Sequence, residues 1–412
     1  MMKSTLRFGA AVTALALAAS AGRAGPFTPG NLVVTQIGDG SAALTAASTA
    51  IFLVEINPNT GAVVQTIPLP IAVSGSNRAL TVRGSSTSAG HLARSVDDRY
   101  LTMTGYDAPP GVNPIQSTLS ENVNRVIARI DAAGSIDTTT ALSDSYSGDD
   151  IRLAVTTTGT DFWTAGTGGS GLQATAGVRY TTLGSTTAVP LASPPTNIRI
   201  VGIFNNQLYM TSATGGYQGI SAVGTGLPTT SGQTITALPG FPIVTGPSNY
   251  DFFFADANTL YVADDTSNST AVGGIQKWTF DTQTNSWTKA YTLTSGLAAA
   301  NSGCRGLSGQ VTRAGVVLYA TECTTGSAST GNRIITVTDA GPTSGFTAVG
   351  SAAPANTTYR GIAFAPVGGT PPSCYANCDA STNAPCLNVN DFTCFLNSYS
   401  AGGSYANCDA ST

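Results

Sequence analysis

The apolar positions of this chain alternate with polar ones over short runs and then stop. Between Asn31 and Pro366, segments rich in Val, Ile, Tyr, Phe and Thr end at Gly, Asn, Asp or Pro, and a helical period is hard to find. The pattern predicts β-strands. A fixed order also recurs: an apolar strand, a tight turn, a strand of the Leu-Tyr-x-Ala type, a longer polar loop, then two more strands. It is clearest in 250–255, 260–263, 274–280 and 287–293, with turns at 256–258 and 281–285. The same order returns in 305–312, 316–321, 333–338 and 346–349.

Units begin near positions 91, 151, 198, 250, 305 and 360, which lie 60, 47, 52, 55 and 55 residues apart. Four strands at a spacing near 50 suit a β-propeller blade. The last start, 359–366, has no second, third or fourth strand after it, whereas 32–37, 50–56 and 62–68 have no first strand before them. Joining the two completes one blade. The sequence therefore predicts an all-β, six-bladed β-propeller over 25–367, closed by a C-terminal innermost strand that removes exposed sheet edges. A β-helix or two sandwiches would give the incomplete ends no reason to complement each other.

Composition adds the setting. Only 10% of residues are charged, against roughly 25% in an ordinary soluble domain. With 42% hydrophobic residues the chain can still bury a large core, so coiled coils and disorder are both excluded. Residues 1–24 combine Lys3 and Arg7, an apolar run over 8–19 and small residues at Ala19, Ala21, Gly22 and Ala24, the layout of a secretory leader. No later stretch reaches the roughly 18 apolar residues of a membrane helix, so no transmembrane segment is expected. The expectation is a secreted protein, extracellular or associated with the cell surface. Without Lys3, Arg7 and Arg23 the chain carries 15 basic against 22 acidic residues, a net charge of −7, which argues against a nucleic-acid partner.

The search for catalytic groups is mostly negative. His91 is the only histidine, which excludes multi-histidine metal sites and leaves a hydrolase triad without a partner motif; a loop or strand-edge role is its simplest reading. The pairs Asp97-Asp98, Asp149-Asp150 and Asp264-Asp265 sit at turns or strand ends, where Asp accepts backbone hydrogen bonds. Adjacent residues on an extended chain point to opposite sides, so such pairs do not automatically form a carboxylate dyad. Trp163, Trp278 and Trp287 suit blade packing better than sugar stacking. The arginines are more suggestive. Arg94, Arg152, Arg199, Arg305 and Arg360 lie near the start of five inferred innermost strands, and the remaining blade has Asp251 there. Pointing inward they would ring one channel mouth and attract carboxylate or sulfate; pointing sideways they would tie blade to blade. All seven cysteines follow Gly303, and Cys304 and Cys323, nearly equidistant from a turn at 313–314, are expected to bridge blade six.

After Pro366 the composition changes: 368–373 reads as a linker, and CYANCDAST at 374–382 recurs as SYANCDAST at 404–412. Asn377, Asp379 and Ser381 alternate, and Asp391 opens the apolar stretch at Phe395-Leu396, a sequence of oxygen donors of the kind a calcium loop needs. This tail, 374–412, resembles bacterial dockerin domains, in particular cysteine-containing dockerin-like anchors. The resemblance implies tandem calcium loops and a cohesin-type partner, with Asn377, Asp379 and Ser381 as early ligands and Asp391 as the closing acid. The interval 377–391 exceeds the EF-hand loop of about 12 residues, and Thr382 or Asn383 stands where Gly is usual. A looped-out 384–386 would absorb the extra length; a small disulfide knot without calcium is the competing reading. Cys378 with Cys394 is the preferred pair, leaving Cys374, Cys386 and Cys408, and the second copy stops short at Thr412.

The expected function is a secreted, non-catalytic propeller that binds an extracellular ligand such as an acidic polysaccharide, presented on a calcium-dependent dockerin-like anchor. A propeller-fold polysaccharide lyase or hydrolase on the same anchor is the alternative, and a purely structural surface protein is a third.

Overall fold

The computed structural model describes residues 25–246, 248–268, 271–298, 302–324, 331–368 and Thr393. Residues 1–24, read above as a leader, most of the expected linker and the sites assigned to Asn377, Asp379, Ser381, Asp391, Cys378 and Cys394 lie outside the described residues. Six four-stranded antiparallel sheets form the body. Blade two comprises Leu92–Arg94, Tyr100–Tyr106, Arg125–Asp131 and Ile136–Leu142; blade three Ile151–Val155, Asp161–Gly166, Val178–Thr182 and Val189–Ala192. Blade four follows with Ile198–Phe204, Gln207–Ser212, Ile220–Val223 and Ile235–Ala237. Blade five has Asn249–Asp256, Thr259–Asn268, Ala271–Asp281 and Ser286–Leu293, and blade six Ser302–Thr312, Gly315–Thr324, Ile334–Asp339 and Thr347–Ala348.

Blade one is assembled from both ends of this body. Thr358–Phe364 pairs antiparallel with Leu32–Ile37, from Leu32 opposite Phe364 to Ile37 opposite Thr358, and Ile51–Ile56 and Val63–Pro68 complete the sheet. The closure expected from the incomplete sequence units is thus present. A two-stranded addition, Ser48–Thr49 with Val82–Arg83, and two short 3-10 turns lie outside the six-unit plan.

A propeller buries its apolar surface between blades. Leu53 and Ile67 of blade one pack with Leu101 and Val126 of blade two, Trp163 of blade three with Leu208 of blade four, and Tyr261 of blade five with Leu318 of blade six. Three further clusters fill the remaining interfaces. The tryptophans belong here: Trp163, Trp278 and Trp287 are buried, and Trp163 Nε1 donates to the Pro228 carbonyl at 2.7 Å.

Threonines clasp the innermost strands together. Thr35, Thr211 and Thr321 accept from the N–H of Gly361, Ile200 and Gly306 in their own blades, at 2.8, 3.2 and 2.9 Å. Each then donates at 2.6 Å to a carbonyl at the start of the next blade, that of Gly90, Tyr250 and Arg360 respectively. Thr102 reaches the Ala154 carbonyl in the same way at 2.6 Å. A hydroxyl that both accepts and donates satisfies two buried main-chain groups at once, each bond contributing about 1 kcal/mol.

The bridge expected in blade six is absent. Cys304 and Cys323 are buried free thiols. Gly303 faces Cys323, and Cys304 faces Glu322, because a register irregularity follows Cys304. That one-residue offset sends the two side chains to opposite faces of the pair.

Candidate functional site

The threonine clasps fix how the innermost strands align. The N–H groups bound by Thr211, Thr321 and Thr35 directly follow Arg199, Arg305 and Arg360, so these three arginines share one level of the channel. At that level blade five has Tyr250 and blade two has Gly90, followed by His91. Arg152 lies close enough for its charge to act on both His91 and Tyr250. Four of the five expected arginines therefore converge on one end. Arg94 and Asp251 do not: they line the opposite mouth. Blade two has Gly90 and His91 just before its innermost strand, where the arginine was expected, and Arg94 ends that strand.

At the first end the guanidiniums turn sideways. Arg152 donates to Asn197 Oδ1 at 2.6 Å and to the Ile198 carbonyl at 2.8 Å, both leading into blade four. Arg199 reaches Ser248 at 2.9 Å, the Asn249 carbonyl at 3.1 Å and Asp265 at 3.2 Å, in blade five. Arg305 donates back to Asp265 at 3.0 Å. Arg360 meets the carbonyls of Ala89 and Gly84 at 3.0 and 2.5 Å, and burial lowers its guanidinium to about 9. Burial opposes ionisation of Asp265, yet Arg199 and Arg305 hold its carboxyl below the usual range. These are braces between blades. Sequence reasoning missed the acids at this end: Asp265 between Arg199 and Arg305, and Asp150, which accepts from Arg83, from Ser86 at 2.9 Å and from Tyr106 at 2.6 Å. The pairing of acids gave part of the signal, since Asp264 takes the backbone N–H of Ser248 and Thr266 while Asp265 turns to the arginines.

His91 sits at the centre of this end, 1% exposed and stacked on Tyr250 with ring centroids 4.9 Å apart. Neither ring nitrogen has a hydrogen-bond partner among the described residues. Burial, then the charges of Arg305, Arg360 and Arg152, push its pKa down to about 3, so the ring is neutral at physiological pH. A general base is held by an acceptor on its second nitrogen, and no described residue supplies one to His91.

Further along the same strands, from Asp251, Leu307 and Ile362 onward, all six blades line an open mouth of about 380 Å³. Its walls are aromatic. Phe252 lies against Gly202 of blade four, where an added Cβ would stand 2.7 Å from the ring, and Phe253 lies likewise against Gly309 of blade six. Glycine at both positions lets a ring rest flat on the neighbouring backbone. Phe204 stacks on Phe254 at 4.6 Å, and the Arg94 guanidinium sits 5.6 Å over Phe364 while pairing with Asp98 at 2.8 Å. Asp251 accepts from the N–H of Phe252 at 2.8 Å and of Leu307 at 3.0 Å; desolvation nevertheless raises its carboxyl to about 7. No group of three or more metal-binding side chains occurs among the described residues, and none of their helices is long and apolar enough to cross a membrane.

No protein-family profile matches the chain, and no curated protein matches it. Solved structures do share its outline. A protein from Lactobacillus plantarum is 10% identical with a TM-score of 0.41, covering 78% of this chain and 82% of that one. A GH74 enzyme from Niastella koreensis is 13% identical at 0.43, covering 76% and 46%. An oligogalacturonate lyase from Vibrio parahaemolyticus is 9% identical at 0.35, covering 71% and 89%. The six-bladed architecture of this chain rests on its own strand pairing.

Proposed function

We propose that the chain is an exported, non-catalytic β-propeller that binds an extracellular glycan in the aromatic mouth of its channel. Its dockerin-like tail holds it, with calcium, on a cohesin-type partner or another cell-surface component. The observation that carries the binding site is the set of half-buried rings Phe252, Phe253 and Phe204 facing an open cleft with Arg94, Asp98 and Asn205 among its polar neighbours. Flat apolar rings beside hydrogen-bonding groups suit the apolar faces and hydroxyls of a sugar. The acidic polysaccharide expected from an arginine ring gives way to a neutral one. The other arginines are spent as braces, and the single guanidinium at this mouth already faces Asp98.

Calorimetry of the full chain against neutral and acidic oligosaccharides tests this. Binding of a neutral chain that Phe253→Ala weakens by roughly tenfold, about 1.4 kcal/mol, is the expected result. Absence of binding, or affinity indifferent to Phe253 and Phe252, overturns it. One observation favours the enzymatic alternative: a carboxyl near 7 at Asp251 is a reservoir for a general acid. Product release from a polysaccharide, lost in Asp251→Asn, would establish a lyase or hydrolase instead.

A further inference from the structure

The closed end of the channel presents an unresolved balance of charge. Around His91 and Tyr250 stand Arg152, Arg199, Arg305 and Arg360, with Asp265 the carboxylate that acts on both rings. Asp265 is shared between Arg199 and Arg305. Arg152 and Arg360, 8% and 6% exposed, rest on carbonyl and amide oxygens and form no ion pair among the described residues. Asp150, itself held by Arg83, Ser86 and Tyr106, acts on Arg360 without pairing to it, so that charge is only partly compensated. Buried guanidiniums short of compensation cost several kcal/mol, so an opposite charge at this place would stabilise the fold.

A space for it exists. Between His91, Arg305 and Arg360 lies a small, largely enclosed cavity of about 10 Å³, room for one body the size of a water molecule or a chloride ion. Among the described residues, both nitrogens of His91 lack partners here, as do Nε of Arg152 and of Arg83 and Nδ2 of Asn249. The remaining walls do not oppose an anion. Glu322 is neutralised by Arg333, whose nitrogens lie 2.7 and 3.1 Å from its oxygens, and burial keeps the Cys323 thiol protonated, its pKa near 12. Asn332 is fully engaged, donating to the carbonyls of Glu322 and Tyr359 at 2.8 Å.

We propose that this cavity binds one monatomic anion, chloride under ordinary conditions, held by the guanidiniums of Arg305 and Arg360 and by an N–H of His91. The ion supplies the negative charge that the braces lack and gives the histidine a partner. Its role is to lock blades one, two and six at the seam where the ring closes, since Arg360, His91 and Arg305 belong to those three blades. A polyatomic anion such as sulfate is too large for the space.

Bromide replaces chloride in such a site and can be located by anomalous diffraction. Crystals of the full chain grown in bromide are expected to show an anomalous peak within hydrogen-bonding distance of Arg305, Arg360 and His91. In solution at constant ionic strength, replacing gluconate by chloride should raise the melting temperature by roughly 2 °C for each tenfold excess over the dissociation constant. His91→Phe keeps the stack on Tyr250 but removes the ring nitrogens, and should lose most of that chloride-dependent shift while still folding in gluconate. An electron-density peak without anomalous signal, or melting curves that coincide in chloride and gluconate, would mean that the cavity holds water and would overturn the proposal. A chloride shift of equal size in His91→Phe would place the ion elsewhere and overturn it too.

Discussion

At the closed end of the channel, four guanidiniums donate sideways to main-chain oxygens, Asn197, Ser248 and Asp265, and Arg152 and Arg360 keep less than a tenth of their surface exposed. At the open end, further along the same strands, Phe252 and Phe253 lie over glycines and one guanidinium pairs with the half-exposed Asp98. The strands are shared; the difference lies in which residue type stands at each level. Charge near the strand starts is consumed in joining blades, because an innermost strand there meets the main chain of its neighbour. Phe252 and Phe253, in the middle of Asn249–Asp256, pack on the neighbouring blades and stay half-buried where they line the open mouth. The contrast separates what holds the ring together from what can meet a ligand.

The sharpest way to break that contrast is to remove one acid from each end. Asp265→Ala leaves Arg199 and Arg305 buried without a carboxylate, and an expected loss of about 3–5 kcal/mol should appear in denaturant unfolding. Asp98→Ala at the open mouth should cost under about 1 kcal/mol, since its pair with Arg94 is solvent-screened. Equal losses would show that both ends are structural.

The second test uses pH. His91 has a folded pKa near 3 against an ordinary value of 6.5, so the folded state refuses a proton that the unfolded chain accepts; its contribution is complete above about 6.5 and is lost as pH falls toward 3. Asp251 runs the other way: with a folded pKa near 7 against 3.8, its contribution is present below about 3.8 and is lost as pH rises through 7. Between pH 4 and 6.5 the two slopes oppose, each by at most about 1.4 kcal/mol per pH unit. In halide-free buffer, His91→Phe should make stability fall more steeply with rising pH than in wild type, and Asp251→Asn should make it rise. Parallel curves for the two variants would show that these groups do not carry the difference between the ends.

How much of this was legible follows from what sets each feature. The closure of blade one was readable because strands 32–37 and 359–366 are complementary in pattern, and pattern survives small register errors. Arg199, Arg305 and Arg360 were readable as equivalents for the same reason. Arg94 was misplaced because blade two's innermost strand is short, Leu92–Arg94, and enters through Gly90 and His91. The Cys304–Cys323 bridge failed on a register shift between Cys304 and Leu307, which changes the facing residue without leaving a mark in composition. The threonine bonds to the next blade and the Asp150 and Asp265 partnerships join residues 39 to 67 positions apart, and no local signal announces them. The aromatic mouth was hidden because Phe252 and Phe253 look like ordinary strand residues until Gly202 and Gly309 are set beside them.

The smallest expected effect is also the most discriminating for the ligand. Arg94→Gln removes the one guanidinium at the open mouth, where its chain still covers the Phe364 ring and its partner Asp98 remains partly solvated. Loss of a screened pair costs under about 1 kcal/mol of stability, and Gln keeps much of the aliphatic stem that packs on the ring. If the bound glycan is neutral, affinity should change by less than about threefold and should stay flat as salt rises, because no phosphate, sulfate or carboxylate is being attracted. If the glycan is acidic, Arg94 must release Asp98 to hold it; affinity in the parent would then fall steeply with salt, and Arg94→Gln would remove both the affinity and the salt dependence together. A salt titration of both proteins against one neutral and one uronate-containing oligosaccharide distinguishes these outcomes, and a steep slope confined to the parent would return the ligand to the acidic class.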